Sequence, residues 1–186
     1  MFLRNSIYCL ISFLLIACSN HEIDSEKVYQ SLNDKQAKAV IKIDGADFYP
    51  NESVFKGNIQ VYDNSFRLNL NDQFDSNVIF TIAGNNWYET KPIKRQITIE
   101  NQTNGSLMVG KIKDRVQNTG EGYMMTQGEM EIETFTNEKF IVRFKGKISK
   151  YEFLQDSSKW NDFEGVIVFR KPEIVLQNIT KDKVYF

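Results

Sequence analysis

The side chains that carry most nucleophilic and metal chemistry are confined to the start of this chain. Its single histidine, His21, and its two cysteines, Cys9 and Cys18, all precede residue 22. The rest of the chain therefore has no Ser-His-Asp triad, no Cys-His dyad and none of the usual zinc ligand sets. Paired carboxylates survive this screen, because glycoside hydrolysis asks only for two acids at a fixed separation. Here, however, most Asp and Glu residues fall at turns or alternate with apolar strand positions, where solvated carboxylates belong. Residues 69–77 gather Asn69, Asn71, Asp72, Asp75 and Asn77, oxygen donors that suit calcium. They lack the glycine and closing glutamate of an EF-hand loop and read as a polar hairpin loop. Gly120-Glu121-Gly122 reads as a turn, since neither the further glycines nor the helix of a phosphate-binding loop follows. No cofactor motif is left. Two groups of loop aromatics remain as candidate ligand contacts: Trp87 with Tyr88, and Trp160. Exposed aromatics on a sheet scaffold stack on sugars or anchor a partner. Their competing use is to fold back and close the end of the sheet, since burying a tryptophan is strongly favourable.

The elements that must position these residues begin after an export signal. Residues 1–6 carry one basic residue, Arg4, and residues 7–17 carry no charge. That is too short an apolar run for a membrane span, which needs about 20 residues, and it fits a secretory signal. Leu15-Ile16-Ala17-Cys18 resembles the lipobox of bacterial lipoproteins. The resemblance implies cleavage after Ala17, diacylglycerol on the Cys18 sulfur and acylation of the new amine. Two or more acyl chains give stable anchoring where one is marginal. Ser19, rather than Asp, follows the cysteine, which in the familiar sorting pattern implies the outer membrane. The interrupted acidic run Glu22, Asp24, Glu26 only partly resembles the surface-export tract of Bacteroidota lipoproteins, so the periplasmic or outward face stays open. With Cys9 removed and Cys18 lipidated, the mature domain has no thiol.

Beyond the signal, about 170 residues suffice for one domain with a real core. With 23 basic and 24 acidic side chains interspersed, the chain has no basic stripe for nucleic acid. Residues 18–37 are polar and read as a flexible tether, with a thin helical face of Val28, Leu32 and Ala39 across residues 25–38. From there to residue 186 the chain reads as a single β-rich domain. Period-two alternation marks strands at 40–43, 54–62 and 66–70, 78–83 is more continuously apolar, further strands follow at 95–100 and 106–113, and 165–169 supplies a last strong strand. The clearest pattern is a hairpin of residues 129–134 with 140–148. Antiparallel pairing sets Glu131 against Arg143, Glu129 against Lys145, Ile132 against Val142 and Met130 against Phe144. A slip of two residues matches equally well, whereas a slip of one mixes the faces. One face of this hairpin is expected dry and the other wet.

Short strands, turn signals and no long helix predict an all-β antiparallel sandwich or small barrel. The C-terminal Val184-Tyr185-Phe186 ends on an aromatic as outer-membrane barrels do, but charges interrupt too many strands for a lipid-facing row. In these general features the chain resembles small all-β Bacteroidota envelope lipoproteins of unknown function. The function expected is that of a lipid-anchored, non-enzymatic binding module, for a glycan, a peptide or an envelope protein. A periplasmic accessory, inhibitor or immunity protein is the alternative, and a carboxylate hydrolase comes third.

Overall fold

A computed structural model describes residues 23–101 and 104–186. The signal, Cys18 and His21 lie outside the described residues. The chain forms one antiparallel-dominated sheet of eleven strands: β1 Gln36–Ile43, β2 Ala46–Asp47, β3 Lys56–Tyr62, β4 Ser65–Asn71, β5 Asn77–Ala83, β6 Ile93–Thr98, β7 Gly105–Asp114, β8 Thr119–Phe135, β9 Lys139–Lys150, β10 Asn161–Arg170 and β11 Glu173–Gln177. Their spatial order is β11-β3-β4-β5-β7-β8-β9-β10-β1-β2, with β6 also paired to β8. The sheet does not close. It curls far enough that Ala37 of β1 and Phe55, just before β3, exchange two backbone hydrogen bonds of 2.8 Å. The result is sandwich-like, with inward side chains from both halves meeting in one core. Phe66, Phe80, Trp87, Phe135, Phe140 and Phe144 belong to that core, with Phe66 stacked on Phe140 at 5.5 Å.

The hairpin read from the sequence is the spine of the fold, in the register expected: Glu129 faces Lys145, Met130 faces Phe144, Glu131 faces Arg143 and Ile132 faces Val142. Two irregularities, between Met125 and Gln127 and between Ile132 and Thr134, shift the phase of β8. A bulge adds one residue to one strand, so inward positions change from odd to even and back again. Tyr123 and Met125 turn toward the core, then Met130 and Ile132, then Phe135. For that reason Thr134, expected on the dry face, is only half-buried and Phe135 takes the core position. Simple alternation cannot register the extra residue.

Beside the first bulge, Gly128 and Gly146 face each other at φ +138° and +153°. A Cβ on Gly128 would lie 2.1 Å from the Lys145 carbonyl oxygen, and one on Gly146 would lie 2.1 Å from that of Gln127. Only glycine fits at either place. The bulge and this pair together change the direction of the hairpin, so that β8 pairs with β7 through residues 119–124 and with β6 through residues 127–132, on the same side.

Residues 23–37 depart from the expected flexible tether. A short helix, α1 Ser25–Gln30, is capped by Asp24, whose carboxylate accepts from the amides of Glu26 and Lys27. It replaces the helix expected across residues 25–38 because the chain enters β1 at Gln36. This wrap lies on the outward face of β9 and β10, where Leu32 buries Ile141, Val166 and Val168 in a second cluster joined by Ile23, Val28, Tyr29 and Val40. Polar clasps hold both ends. Arg143 donates to the Ile23 carbonyl and to Ser25 Oγ. Arg170 donates to the Leu32 carbonyl and to Asp34, and Lys139 pairs with Glu26 at 2.6 Å. The hairpin face expected to be wet is therefore dry at Ile141, 5 % exposed. Thin amphipathic segments are stabilised by the surface they cover rather than by their own propensity.

Substituting Gly146 by alanine is expected to destabilise the domain by more than about 3 kcal/mol in urea unfolding, because the added Cβ meets backbone on a strand that cannot move alone. An unfolding midpoint unchanged from the parent would show that the hairpin bends without needing that glycine.

Candidate functional site

The aromatics singled out in the sequence are not presented together on one exposed surface. Trp87 is completely buried; its indole N–H donates to the Tyr62 carbonyl at 3.0 Å, and its ring meets Phe66 edge-on. Tyr88 packs half-buried against the core beside it. Trp160 is half-buried and its indole N–H donates to the Leu154 carbonyl at 3.2 Å. The structure does not bring Trp160 together with the other two. Trp87 and Tyr88 close their loop back onto the core, the competing use noted above, while Trp160 ties together its own loop. Burial of so much ring surface outweighs leaving it in water.

The loop at residues 69–77 is organised by Asp72. One of its carboxylate oxygens accepts from the amides of Phe74 and Ser76, the other from Ser53 Oγ at 2.7 Å. Asp75 pairs instead with Arg115 at 2.9 Å. Among the described residues no cluster of three or more His, Cys, Asp or Glu is placed to hold a metal.

What the sequence reading missed lies on the outward face of β5, β7 and β8. The register aligns Ile79, Met108 and Met124 side by side across these three strands. Their chain neighbours Val78, Val109 and Met125 point into the core, so the aligned side chains point away from it. One step along, Asn77, Gly110 and Gly122 are aligned in the same way. The Asn77 side chain fills the space beside Gly110, while Gly122 leaves a dent in a groove of about 440 Å³ that Ile112 and Tyr151 also line. The stretch 120–122 is strand here, not the turn expected. Gly122 leaves room beside it, since a Cβ there would meet only the Val109 carbonyl oxygen, at 3.8 Å, whereas one on Gly120 would lie 3.0 Å from the Lys111 carbonyl oxygen.

Seven large apolar side chains are exposed among the described residues: Phe74, Met108, Ile112, Val116, Tyr151, Phe153 and Val175. Met108, Ile112 and Tyr151 line the groove directly. Phe74 and Val116 follow or precede the Asp75–Arg115 pair at its rim, and Phe153 shares the short turn of helix with Tyr151. Three of the seven thus line the groove, where Tyr151 is 74 % exposed, and Phe74, Val116 and Phe153 lie within two residues in sequence of groove or rim residues. Contiguous apolar exposure of this kind marks interaction surfaces.

The charged groups around the groove are engaged with one another. Lys111 donates to the Phe48 carbonyl at 2.7 Å and lies over the Phe48 ring. Glu121 pairs with Lys111 and Lys113 at 3.4 and 3.2 Å. Although burial pushes the Glu121 carboxyl up, its hydrogen bond to Lys113 and the two cations bring it below the ordinary carboxylate range. A general acid requires the opposite shift. Nearby, burial pushes the Tyr49 phenol well above its ordinary value, and its hydroxyl donates to the Asn77 carbonyl at 2.6 Å.

A second concavity, on the bend of the hairpin, is lined by Lys42, Lys145, Lys147, Asp162 and Glu164 around the backbone of Gly128 and Gly146. Lys42–Glu164 and Lys147–Asp162 pair across it at 3.6 and 2.7 Å. Phe163 also lines it, so apolar surface lies between its charged side chains, which are paired with one another. Comparison with protein-family models, with curated proteins and with solved structures finds no match.

The two kinds of aromatic separate in a stability measurement. Trp87→Ala is expected to cost about 3–5 kcal/mol, whereas Tyr151→Ala should stay within roughly 0.5 kcal/mol. Equal losses on thermal unfolding would mean that Tyr151 is packed rather than presented.

Proposed function

We propose that this chain is a lipid-anchored lipoprotein of the bacterial cell envelope, carried on the outer membrane through Cys18. Its domain works as a non-enzymatic binding module, with the groove on β5, β7 and β8 as its ligand surface. The observation that carries the reading is the contrast between two stretches of outward sheet face. Both continuously apolar strands, β5 and β10, have apolar side chains on either face. Over β10 the wrap of residues 23–34 buries them. Over β5 Ile79 and its cross-sheet neighbour Met124 are only half-buried, and Met108 between them is 40 % exposed.

The chemistry of the lining favours an apolar protein segment among the possible ligands. Methionine and isoleucine side chains adapt to irregular apolar surfaces, and methionine is over-used at peptide-binding faces. A sugar would ask for flat rings and free polar groups. The groove offers Tyr151 as a ring, while Lys111, Glu121 and Asp75 are already engaged with other residues. The neutralised carboxylates likewise support binding over acid–base chemistry.

A photo-crosslinking side chain at Tyr151, introduced in growing cells, tests the reading. The expected product is an adduct with one envelope protein, its cross-link mapped to an apolar stretch. Gly122→Leu, which fills the dent at little cost because that position is open, should remove the adduct while leaving the unfolding midpoint in place. An adduct that persists in Gly122→Leu, or no adduct under conditions that cross-link a known envelope pair, would remove the groove as the ligand surface.

A further inference from the structure

The same wrap that covers β10 sets how far the domain can stand from its lipid. From Ile23 onward the chain is fastened: Ile23 by Arg143, Glu26 by Lys139, Leu32 by Arg170 and Asp34 by Arg170 and Lys171. Only Ser19, Asn20, His21 and Glu22 separate Cys18 from Ile23. Fully extended, those five peptide steps span about 17 Å.

We propose that the lipidated domain sits on a leash of that length, with α1 and the β8–β9 turn toward the lipid headgroups and the β5–β7–β8 groove held off the bilayer. This rests on the reading of Cys18 as the lipid-bearing residue. The Arg143 guanidinium that grips Ile23 lies opposite Glu131 on β8. Met124 and Gly122 lie seven and nine residues farther along the same strand, about 23–30 Å of strand contour, with the bend at Gly128 and Gly146 between Glu131 and both of them. The leash enters one end of the long hairpin, and the groove occupies the other.

The surface presented to the membrane suits contact without insertion. None of the seven exposed large apolar residues falls in the wrap or the β8–β9 turn. What lies there is Lys27, Lys35, Lys139 and Lys171 interleaved with Glu26, Asp34 and Glu138, a mixed polar face that matches headgroups of both charges. The apolar groove, which would otherwise adsorb to lipid, is kept free for its partner by the short leash. A flexible tether of twenty residues would reach several times as far and would let either face meet the bilayer.

Fluorescence quenching in vesicles tests this. The mature domain has no cysteine but Cys18, so an introduced cysteine can be labelled alone. The full chain, processed and lipidated in cells, is reconstituted into phosphatidylcholine vesicles carrying a headgroup nitroxide, with a fluorophore at Lys27→Cys or at Val116→Cys. Quenching at position 27 should exceed that at position 116 severalfold, and a twenty-residue Gly/Ser insertion between Glu22 and Ile23 should erase the difference. Equal quenching on the native leash, or stronger quenching at position 116, overturns the orientation. Intact mass separates the two levels: a chain without the diacylglycerol mass removes the anchor, and with it both the lipoprotein reading and the leash. A lipidated chain with the wrong quenching order removes the orientation alone.

Discussion

The architecture depends on one close approach, the meeting of Gly128 and Gly146 inside the longest hairpin of the sheet. Both backbones occupy conformations that side chains resist, with carbonyl oxygens standing where a Cβ would be. That contact, with the bulge beside it, lets a strand of 17 residues serve two neighbours in succession, β7 and then β6. A straight strand of that length would carry its sheet flat past the core. Redirected here, it brings Phe66 of one half onto Phe140 of the other and lets the two ends of the sheet touch at Ala37 and Phe55. Phe163 pairs with Gly146 from β10 and is itself buried.

Curling a sheet this way buries one face and leaves the other to be managed. This chain manages it unequally. The outward side of β9 and β10 is apolar and receives a cover built from residues 23–34, fixed by buried Leu32 and by arginine clasps at both ends. The outward side of β5, β7 and β8 carries Ile79, Met108 and Met124 beside the open position at Gly122, and Met108 there is 40 % exposed. On the reading proposed above, that less covered face is the one left for a ligand. The cover has a second consequence, because each residue fastened to the sheet is a residue removed from the tether.

Much of the fold was legible in the residues. The alternation of Met130 and Ile132 with Glu129 and Glu131, matched against Phe140 to Phe144, pointed to a hairpin but left two registers open, of which the structure takes the one that sets Glu131 against Arg143. The β8 bulges were not legible, since an extra residue leaves no compositional mark, and they moved Phe135 into the place expected for Thr134. The wrap left a faint mark in the unbroken apolar run at 165–169, a pattern of strands buried on both faces. The run at 78–83 carried the same mark, and there the second face is the less covered one. Trp87 and Trp160 misled because ring chemistry does not say which way a loop folds. The groove was hidden because Ile79, Met108 and Met124 lie far apart in sequence and meet only through register.

Hydrogen exchange on the full chain, followed by mass spectrometry, is the most direct check on the packed wrap from which the covered face and the short leash both follow. The amides of Val28 and Leu32 donate within the wrap, Lys35 donates to the Arg170 carbonyl at 2.9 Å, and Ala37 donates to Phe55. Docked as described, peptides covering residues 28–37 should exchange on the timescale of the β9 and β10 peptides, slower by orders of magnitude than an unstructured chain. Exchange at the unstructured rate through residue 35, with β1 protected only from residue 37, would return this segment to a free tether and contradict the covered face.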